Sequence, residues 1–387
     1  MLARKAESTL RSLASQFKAL AVVGPRQSGK TTLVRMVFPD KPYSNLENPD
    51  TRRFAVEDPR GFLARYPNGA ILDEVQRAPE LFSYLQQILD DGKEPGRFIL
   101  TGSNNFQLQQ NISQPLAGRI AYLTLLPFSL DELPGFRENE WLRHMVLGFY
   151  PPVYDQPVEA AKWYANYIHT YIERDVRQLK NITNLLIFEK FLRLCAGRSG
   201  QLLNMNSLAV ECGIDNKTVN SWLSVLENSF ITFKLQPYHQ NFHKRVVKMA
   251  KLYFYDTGLL CALLGIHNTG QMQNHPLAGN IFENMMVSEY MKYYRNKALV
   301  PPLFFWRDNN GREIDLLLDM PDSLYPIEIK YGSTIHKDYS KNLRFWQRLT
   351  GNNRGAVLYT GEEKQIWSNG IHYLPWNKFT ELEGLDF

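Results

Sequence analysis

The segment from Gly24 to Thr31 constrains this chain more than any other feature of its sequence. It reads GPRQSGKT and matches the pattern G-x-x-x-x-G-K-[ST] in full. Glycine at the first and sixth positions permits backbone angles that a β-carbon would hinder, so successive N–H groups can point at phosphate oxygens. The apolar run KALAVVGP precedes the segment and the helical pattern TTLVRMVF follows it. This strand–loop–helix order predicts a phosphate-binding loop.

Each residue of the loop is a candidate nucleotide contact. Lys30 would bridge the β- and γ-phosphates, the Thr31 hydroxyl would hold Mg²⁺, and backbone N–H groups would surround the phosphates. The alternative is a chance match in a surface loop, which the flanking strand and helix oppose. The predicted contacts are Gly24, Pro25, Arg26, Gln27, Ser28, Gly29, Lys30, Thr31 and Thr32.

A pair of acids follows a second apolar run, AILDEVQ. Such a run predicts a buried strand that delivers Asp73 to the carboxyl edge of the sheet, where it would orient Mg²⁺. Glu74, the next residue, is the candidate base or polariser for an attacking water. Two solvated acids at the start of a helix are the alternative. The phosphate loop upstream favours the catalytic interpretation.

Two further segments supply weaker candidates. FILTGSNN ends another apolar run, and Ser103 or Asn104 would lie between the loop and Glu74, where a polar side chain can contact the γ-phosphate. The same letters are also typical of an ordinary turn. LAGRI supplies Arg119, which could stabilise transition-state charge from its own chain or from a neighbouring subunit. Otherwise Arg119 is a surface arginine.

The order of elements predicts an α/β protein with several domains, since 387 residues exceed one typical core. Strands alternate with helices up to about residue 130, which predicts a parallel sheet covered on both faces, in a P-loop domain spanning residues 1–134. Residues 135–270 predict a helical region. Residues 271–387 predict a second α/β domain, with one long helix followed by short strands.

The middle region ends in the pattern of a winged helix. Two helical segments flank a turn at Gly213, and two apolar strands follow. Asp215 would cap the second helix, which would present Asn216, Lys217, Asn220 and Ser221, a face with few basic residues for DNA recognition. The better candidates for phosphate contact are His243, Lys244, Arg245, Lys248 and Lys251. A solvated loop or a wing packed on the first domain is the alternative.

Several segments together resemble a known family. GPRQSGKTTL, ILDEVQRAPELF, ILTGSNN and LAGRIAYLTLLPFSLDE are similar to the AAA-type ATPase module of a large prokaryotic family. In that family the module is followed by a C-terminal domain of unknown function, and YIERDV, KLYFYDTGLLCALLG and GNIFENMMVSEYMK resemble that part. Ser28 departs from the family, in which a small apolar residue is more usual. The resemblance implies an ATP hydrolase that uses ATP and Mg²⁺.

A second group of charged residues lies near the C-terminus. Glu328 and Lys330 are two apart on a predicted strand and therefore share a face, and Asp315 lies on the strand before it. Glu283 in the preceding helix could add a carboxylate. With a divalent metal, this set resembles the D…ExK core of restriction-endonuclease-like nucleases, which implies such a fold. A solvated ion pair across two strands is the alternative.

Overall composition excludes some classes of protein. Cys195, Cys212 and Cys261 are far apart and odd in number, so no disulfide framework or zinc site is predicted. The N-terminus lacks an apolar core run and no segment is long enough to span a membrane, so we expect a cytoplasmic protein without a membrane partner. The net charge of +5 permits a DNA partner without requiring one.

Three functions remain open from the sequence. The first is an ATPase switch or motor that couples nucleotide state to the C-terminal region, with DNA or a protein as the partner and with an oligomer as one arrangement. The second is an ATP-regulated, metal-dependent nuclease. The third is a non-catalytic DNA-binding or scaffold protein that holds nucleotide. No N-K-x-D segment reads guanine, so we expect adenine, with its contacts near the N-terminal helix.

Overall fold

The computed structural model describes residues 2–103, 116–133, 140–172, 184–238, 248–321 and 323–382 of the chain, with only the backbone described at 171–172. All structural statements below concern these residues. No described helix is both long and apolar enough to cross a membrane.

The first domain is built on a sheet of five parallel strands, in the order β2-β3-β4-β1-β5. The residues of β1, β3 and β4 are all buried, because helices cover both faces of the sheet. The predicted parallel sheet is therefore confirmed, although β5 was not predicted. The strands are β1 (Ala19–Val23), β2 (Tyr43–Asn45), β3 (Ile71–Asp73), β4 (Phe98–Gly102) and β5 (Ile120–Thr124).

The helices of this domain begin where the sequence places caps and prolines. Asn48 and Asp58 accept backbone N–H groups at two helix starts, and Pro49 and Pro59 follow them in the first turn. The helices are α1 (Ala6–Gln16), α2 (Lys30–Val37), α3 (Pro49–Glu57), α4 (Pro59–Ala64) and α5 (Leu81–Asp91).

The middle region is helical, as predicted. Gly213 adopts a left-handed conformation between two helices, and Asp215 caps the second by accepting from the Thr218 N–H. The helices here are α6 (Trp141–Leu147), α7 (Pro151–Asp155), α8 (Ala160–Tyr167), α9 (Leu185–Ala196), α10 (Met205–Cys212), α11 (Asn216–Asn228), α12 (Thr257–Leu264) and α13 (Thr269–Gln273).

Strands β6 (Thr232–Pro237) and β7 (Lys251–Phe254) pair antiparallel after this helix pair. They also belong to the C-terminal sheet, because Gln236 and Pro237 of β6 pair in parallel with Phe304 and Phe305. The sequence predicted two strands here but not that they extend the next sheet.

The C-terminal sheet has the order β12-β13-β11-β10-β9-β8-β6-β7. A long helix, α14 (Ala278–Asn296), and a shorter one, α15 (Lys341–Thr350), accompany it. Predicted strands β8 to β11 are confirmed, and β12 and β13 were not predicted. The strands are β8 (Leu303–Arg307), β9 (Glu313–Met320), β10 (Ser323–Lys330), β11 (Gly355–Tyr359), β12 (Gln365–Ile366) and β13 (Ile371–Pro375).

The parts of the chain share a hydrophobic core. One continuous cluster contains Leu72 and Phe98 of the first sheet, Phe191 and Trp222 of the helical region, and Leu316 of the second sheet. Burial of this shared apolar surface opposes separation of the parts in water.

Candidate functional site

The glycine loop follows β1 at the carboxyl edge of the first sheet. A β-carbon at Gly24 would lie 2.1 Å from the Leu125 carbonyl oxygen, and Gly29 has a φ of +90° directly before α2. Both positions therefore need glycine. The loop ends at the first turn of α2, where unpaired backbone N–H groups attract anions.

Two side chains of the loop point to a phosphate ligand. Lys30 is buried, and its Nζ donates to the carbonyl oxygens of Gly24 (3.0 Å) and Pro25 (2.8 Å), which places the ammonium inside the loop. The Ser28 hydroxyl is buried and hydrogen-bonds to no described residue. A buried hydroxyl without a partner is costly, so a ligand oxygen at this position would lower the free energy of the folded loop.

Asp73 ends β3 and faces the first turn of α2. The Thr31 hydroxyl donates to its carboxylate at 3.0 and 3.1 Å, and the Tyr43 hydroxyl donates at 2.6 Å. Thr101 of the neighbouring strand also hydrogen-bonds to it. The predicted pair of magnesium-holding side chains, Thr31 and Asp73, is thus brought together.

Glu74 follows in a left-handed conformation with a φ of 55°, which is uncommon for a residue with a β-carbon. Ser103 Oγ donates to its carboxylate at 2.9 Å, and Gln76 Nε2 donates to the same oxygen. Burial opposes ionisation, but the charge of Lys30, these hydrogen bonds and the charge of Arg26 together lower the pKa of Glu74. Glu74 is therefore a carboxylate at neutral pH, as a water-orienting residue requires.

Two of the predicted residues have other outcomes. Asn104 lies outside the described residues. Arg119 directly precedes β5, which runs parallel to β1, so it lies at the sheet edge opposite the loop. There its Nη2 donates to Asp90 at 3.0 Å. The structure does not bring Arg119 to the nucleotide loop of its own chain, because the start and the end of a parallel strand lie at opposite edges.

A cavity of about 370 Å³ opens beside the loop, within the size range of ligand sites. Its walls do not include the N-terminal helix, where we expected adenine contacts. The segment after Tyr150 closes one side instead, and the sequence had marked it only as a proline break, GFYPPVY. The lining residues are Arg26, Gln27, Gly29, Lys30, Thr31, Thr32, Glu47, Glu74, Pro151, Pro152, Asp155 and Gln156.

These residues fit Mg–ATP. Lysine and backbone N–H groups match phosphate oxygens, and hydroxyl and carboxylate oxygens are the ligands that Mg²⁺ prefers. Gly24, Pro25 and Ser28 form the inner part of the loop, and Gln27, with a φ of 65°, forms its exposed tip.

A buried chain of polar contacts leads away from the loop, and the sequence did not reveal it. Arg4 donates to the carbonyl oxygens of Ser28 (2.7 Å) and Leu126 (2.6 Å), and pairs with Glu132 at 3.2 Å. Four residues after Leu126, the Leu130 N–H donates to Glu289 of α14 at 2.7 Å.

Glu289 also pairs with Lys292 at 2.7 Å, and both side chains are buried. The Lys292 ammonium lies 3.7 Å from the centre of the Phe149 ring, a favourable cation–π contact. Phe149 immediately precedes the segment that lines the cavity. Helix α14 therefore contacts both the strand-end loop beside Arg4 and the entrance to α7.

The predicted C-terminal set also meets in space. The Asp315 carboxylate accepts from Lys330 Nζ at 2.9 Å and from the Ile329 N–H at 2.8 Å, and Lys330 also pairs with Glu328. Glu283 of α14 accepts from the Tyr253 hydroxyl at 2.5 Å. Together with Lys251 and Glu313, these residues form what we call the acid–lysine cluster.

Lys251 was predicted to contact phosphate at the surface, but it lies inside the protein. It is buried, and its Nζ lies 2.8 Å from Glu283 and 2.5 Å from Glu313. Burial opposes its charge, but the surrounding acids raise the pKa of Lys251 above its ordinary value, so it is an internal cation. The prediction overlooked that a lysine between apolar strand residues can face a buried acid.

The pKa values of the two central acids of the cluster, Glu328 and Asp315, are shifted in opposite directions. Burial, together with the charge of Asp315, raises the pKa of Glu328 well above its ordinary value. Burial also opposes the ionisation of Asp315, but Lys330 and Lys251 outweigh it and lower its pKa. Among the described residues, no group of three or more His, Cys, Asp or Glu side chains is arranged to hold a metal ion.

The predicted recognition helix is accessible in part. Asn216, Lys217 and Asn220 are exposed and Ser221 is half-buried, while Lys248 is exposed after β6. His243, Lys244 and Arg245 lie outside the described residues. The cysteines Cys195, Cys212 and Cys261 are free and buried.

Comparisons with known proteins agree with the architecture. A family model described as "AAA domain" matches residues 16–134, "Domain of unknown function (DUF8612)" matches residues 138–270, and "Domain of unknown function (DUF4143)" matches residues 278–379. Uncharacterized proteins of Mycobacterium tuberculosis and Mycobacterium bovis are each 30% identical over 390 residues, covering 99% of this chain and 86% of the relative.

Solved structures give more distant likenesses. A Walker-type ATPase of Pyrococcus abyssi is 14% identical with a TM-score of 0.43, covering 67% of this chain and 94% of the other. The RuvB Holliday junction branch migration motor of Thermotoga maritima is 17% identical with a TM-score of 0.26, covering 60% of this chain and 90% of the other.

Proposed function

Because the chain belongs to the P-loop AAA-type ATPases that carry a C-terminal domain of unknown function (DUF4143), we propose that it hydrolyses ATP at the Gly24–Thr31 loop and transmits its nucleotide state to the C-terminal domain. One observation carries the proposal. Lys30, Thr31 and the ionised Glu74 line one cavity of ligand size, and Asp73 hydrogen-bonds to Thr31.

The chemistry follows from these positions. Lys30 and the loop N–H groups hold the β- and γ-phosphates, and Glu74 orients a water towards the γ-phosphorus. The water oxygen bonds to phosphorus, the bond from phosphorus to the bridging oxygen breaks, and its electron pair stays on ADP. Glu74 accepts the proton of the water, while Ser103 holds the Glu74 carboxylate in place. Thr31 and Asp73 would hold Mg²⁺, which would supply positive charge to neutralise the phosphates.

The proposed transmission uses the contacts of Arg4 and Glu289. A phosphate bound at Ser28 would shift the Ser28 carbonyl oxygen, which accepts a hydrogen bond from Arg4. Arg4 also donates to the Leu126 carbonyl oxygen, in the segment whose Leu130 N–H donates to Glu289. Adenine would lie against the side of the cavity that residues 151–156 form, which includes α7.

The direct test is phosphate release with Mg²⁺ and ATP, alone and with single- or double-stranded DNA. We expect turnover in the parent protein, binding without turnover in Glu74→Gln, and neither in Lys30→Ala. If Glu74→Gln releases phosphate at the parent rate, the assignment of the water-orienting residue is wrong. If no condition gives phosphate release although ATP binds, the non-catalytic scaffold is the better description.

Metal-dependent cleavage of DNA is the second candidate function. The meeting of Asp315, Glu328 and Lys330 at one strand end favours it, and the exposed face of α11 offers a DNA contact. Lys251 opposes it, because this internal cation already pairs with Glu283 and Glu313 and occupies the space between them. The same reactions, with Mg²⁺ or Mn²⁺, should be examined for cut products, and Asp315→Ala and Lys330→Ala should both lose any cutting that belongs to this site.

A further inference from the structure

Arg119 lies at the edge of the first sheet opposite the nucleotide loop, so it does not supply an arginine to the loop of its own chain. Arg26, within the loop, lines the same cavity as Lys30 and Glu74. Its side chain is 17% exposed, so most of it is already withdrawn from water. Its charge helps to lower the pKa of Glu74, although burial of that carboxyl acts in the opposite direction.

Glu47 is one carboxylate that lies near the guanidinium of Arg26. The Arg26 Nη1 lies 3.7 Å from Glu47 Oε1, which is longer than a hydrogen bond, and the Glu47 side chain is 44% exposed. The same oxygen accepts from Arg77 Nη2 at 3.2 Å. A contact of this length with a half-exposed acid contributes little free energy, whereas phosphate oxygens accept strong charge-assisted bonds from arginine.

The backbone of Arg26 also has a contact of its own, separate from the contacts of its side chain. The Tyr167 hydroxyl donates to the Arg26 carbonyl oxygen at 3.4 Å. Arg26 and Glu47 thus lie on one cavity wall, and Arg77, which shares Glu47, is not among the residues that line the cavity.

We propose that Arg26 is a catalytic residue, whose guanidinium exchanges Glu47 for the γ-phosphate of ATP and stabilises the charge that develops there during hydrolysis. Glu47 holds the arginine aside when no γ-phosphate is present. The inference rests on the proposed ATP hydrolysis. According to this proposal, the charge of the transition state is stabilised by a side chain of the nucleotide loop in the same chain.

The test compares four variants for phosphate release and for binding of Mg–ATP and Mg–ADP by calorimetry. Arg26→Ala should lower kcat by about 10²- to 10³-fold. It should weaken ATP binding by roughly tenfold while ADP binding stays within about twofold, since only ATP has the γ-phosphate. Arg26→Lys, which keeps the charge but not the planar fork, should give an intermediate kcat.

Glu47→Gln should tighten ATP binding by about threefold, because the competing carboxylate charge is gone. Arg77→Ala is the matched control, since it removes the other arginine of Glu47, and it should leave kcat and the ATP-to-ADP preference within about twofold of the parent. Unchanged ADP binding shows in every variant that the loop is folded.

Two results would overturn the proposal for Arg26. One is a kcat of Arg26→Ala that stays within about threefold of the parent while Glu74→Gln is inactive. This result would support the proposed hydrolysis but not a role of Arg26 in it. The other is an equal loss in Arg26→Ala and Arg77→Ala, which would place the effect in the Glu47 contacts generally. If the parent shows no turnover, the proposed hydrolysis fails, and the ATP-to-ADP preference still decides whether Arg26 contacts the γ-phosphate.

Discussion

The carboxyl edge of the first sheet and the acid–lysine cluster of the second are built from the same kinds of side chain but differ in how their charges are satisfied. At the first sheet, Lys30 donates to the carbonyl oxygens of Gly24 and Pro25, and the Ser28 hydroxyl has no hydrogen-bond partner among the described residues. In the cluster, Lys251 lies between Glu283 and Glu313, and Lys330 lies between Asp315 and Glu328.

This difference in pairing shows that carboxylates and lysines at strand ends indicate a ligand site only when a cavity lies beside them. The first edge has a cavity of ligand size and a buried Ser28 hydroxyl without a hydrogen-bond partner among the described residues, so a bound anion would complete it. We call the cluster closed because each of its described lysines is already paired with two acids of the cluster. We therefore expect substitutions at the first edge to change binding and turnover, and substitutions in the cluster to change stability.

The largest effect should follow removal of the loop ammonium. Lys30→Ala should lower turnover by at least about 10³-fold, because Lys30 is the charged side chain that the loop directs at the phosphates. Phosphate release and calorimetric titration with Mg–ATP measure it, with thermal unfolding as the control for folding. A variant that keeps half of the parent turnover would remove the basis for treating this edge as the open site.

The next effect tests whether the cluster is closed. Lys251→Met should lower the free energy of unfolding by about 3–5 kcal/mol, because Glu283 would lose its cation in a largely buried position, whereas Glu313 would keep Arg307. Urea unfolding gives the value. The matched control is Lys364→Met, which breaks the exposed pair with Glu381 and should cost about 1 kcal/mol or less. Equal effects of the two substitutions would show that the cluster is not a closed ionic unit.

A smaller effect is expected in the contact between the two regions. Glu289→Gln should destabilise the protein by about 2–3 kcal/mol, since the amide oxygen still accepts from Leu130 but Lys292 loses its buried partner. Adding Lys292→Met should recover part of this loss, which urea unfolding of the single and double variants would detect. A double variant that is less stable than the single one would contradict the pairing.

The smallest effect is expected for Arg119→Ala. Because Arg119 lies at the far edge of the sheet with Asp90, kcat per chain should stay within about twofold of the parent at every protein concentration. The measurement is phosphate release across a hundredfold dilution series, with about 10²-fold loss in Arg26→Ala for comparison. A large loss that appears only at high protein concentration would instead assign Arg119 to a neighbouring subunit.

The sequence predicted those parts of the site that lie at the ends of consecutive parallel strands. Asp73, Glu74 and Ser103 follow apolar runs, and strands of one parallel sheet bring their carboxyl ends to one edge. The positions of these three side chains were therefore predictable from local pattern. The strand that follows Arg119 was not predicted, so the sequence could not show at which edge of the sheet Arg119 lies, and its role from a neighbouring subunit stays a prediction.

The remaining contacts join residues far apart in the chain. Arg4 reaches Leu126 and Glu289 reaches Leu130 across more than one element, and no local pattern predicts such a pair. Pro151 was visible only as part of a proline break, since its location at the cavity depends on how α7 packs. Lys251 was misjudged because its neighbours in space, Glu283 and Glu313, are 32 and 62 positions away.

Hydrogen exchange of the Glu74→Gln variant, with and without saturating Mg–ATP, tests the contrast between the two regions most directly. We predict that nucleotide slows amide exchange at residues 24–31 and at the Leu130 amide that donates to Glu289, and leaves the amides of 313–330 unchanged. Absence of protection at residues 24–31, or equal protection at 313–330, would contradict the assignment of the first edge as the ligand site and of the cluster as a closed ionic unit.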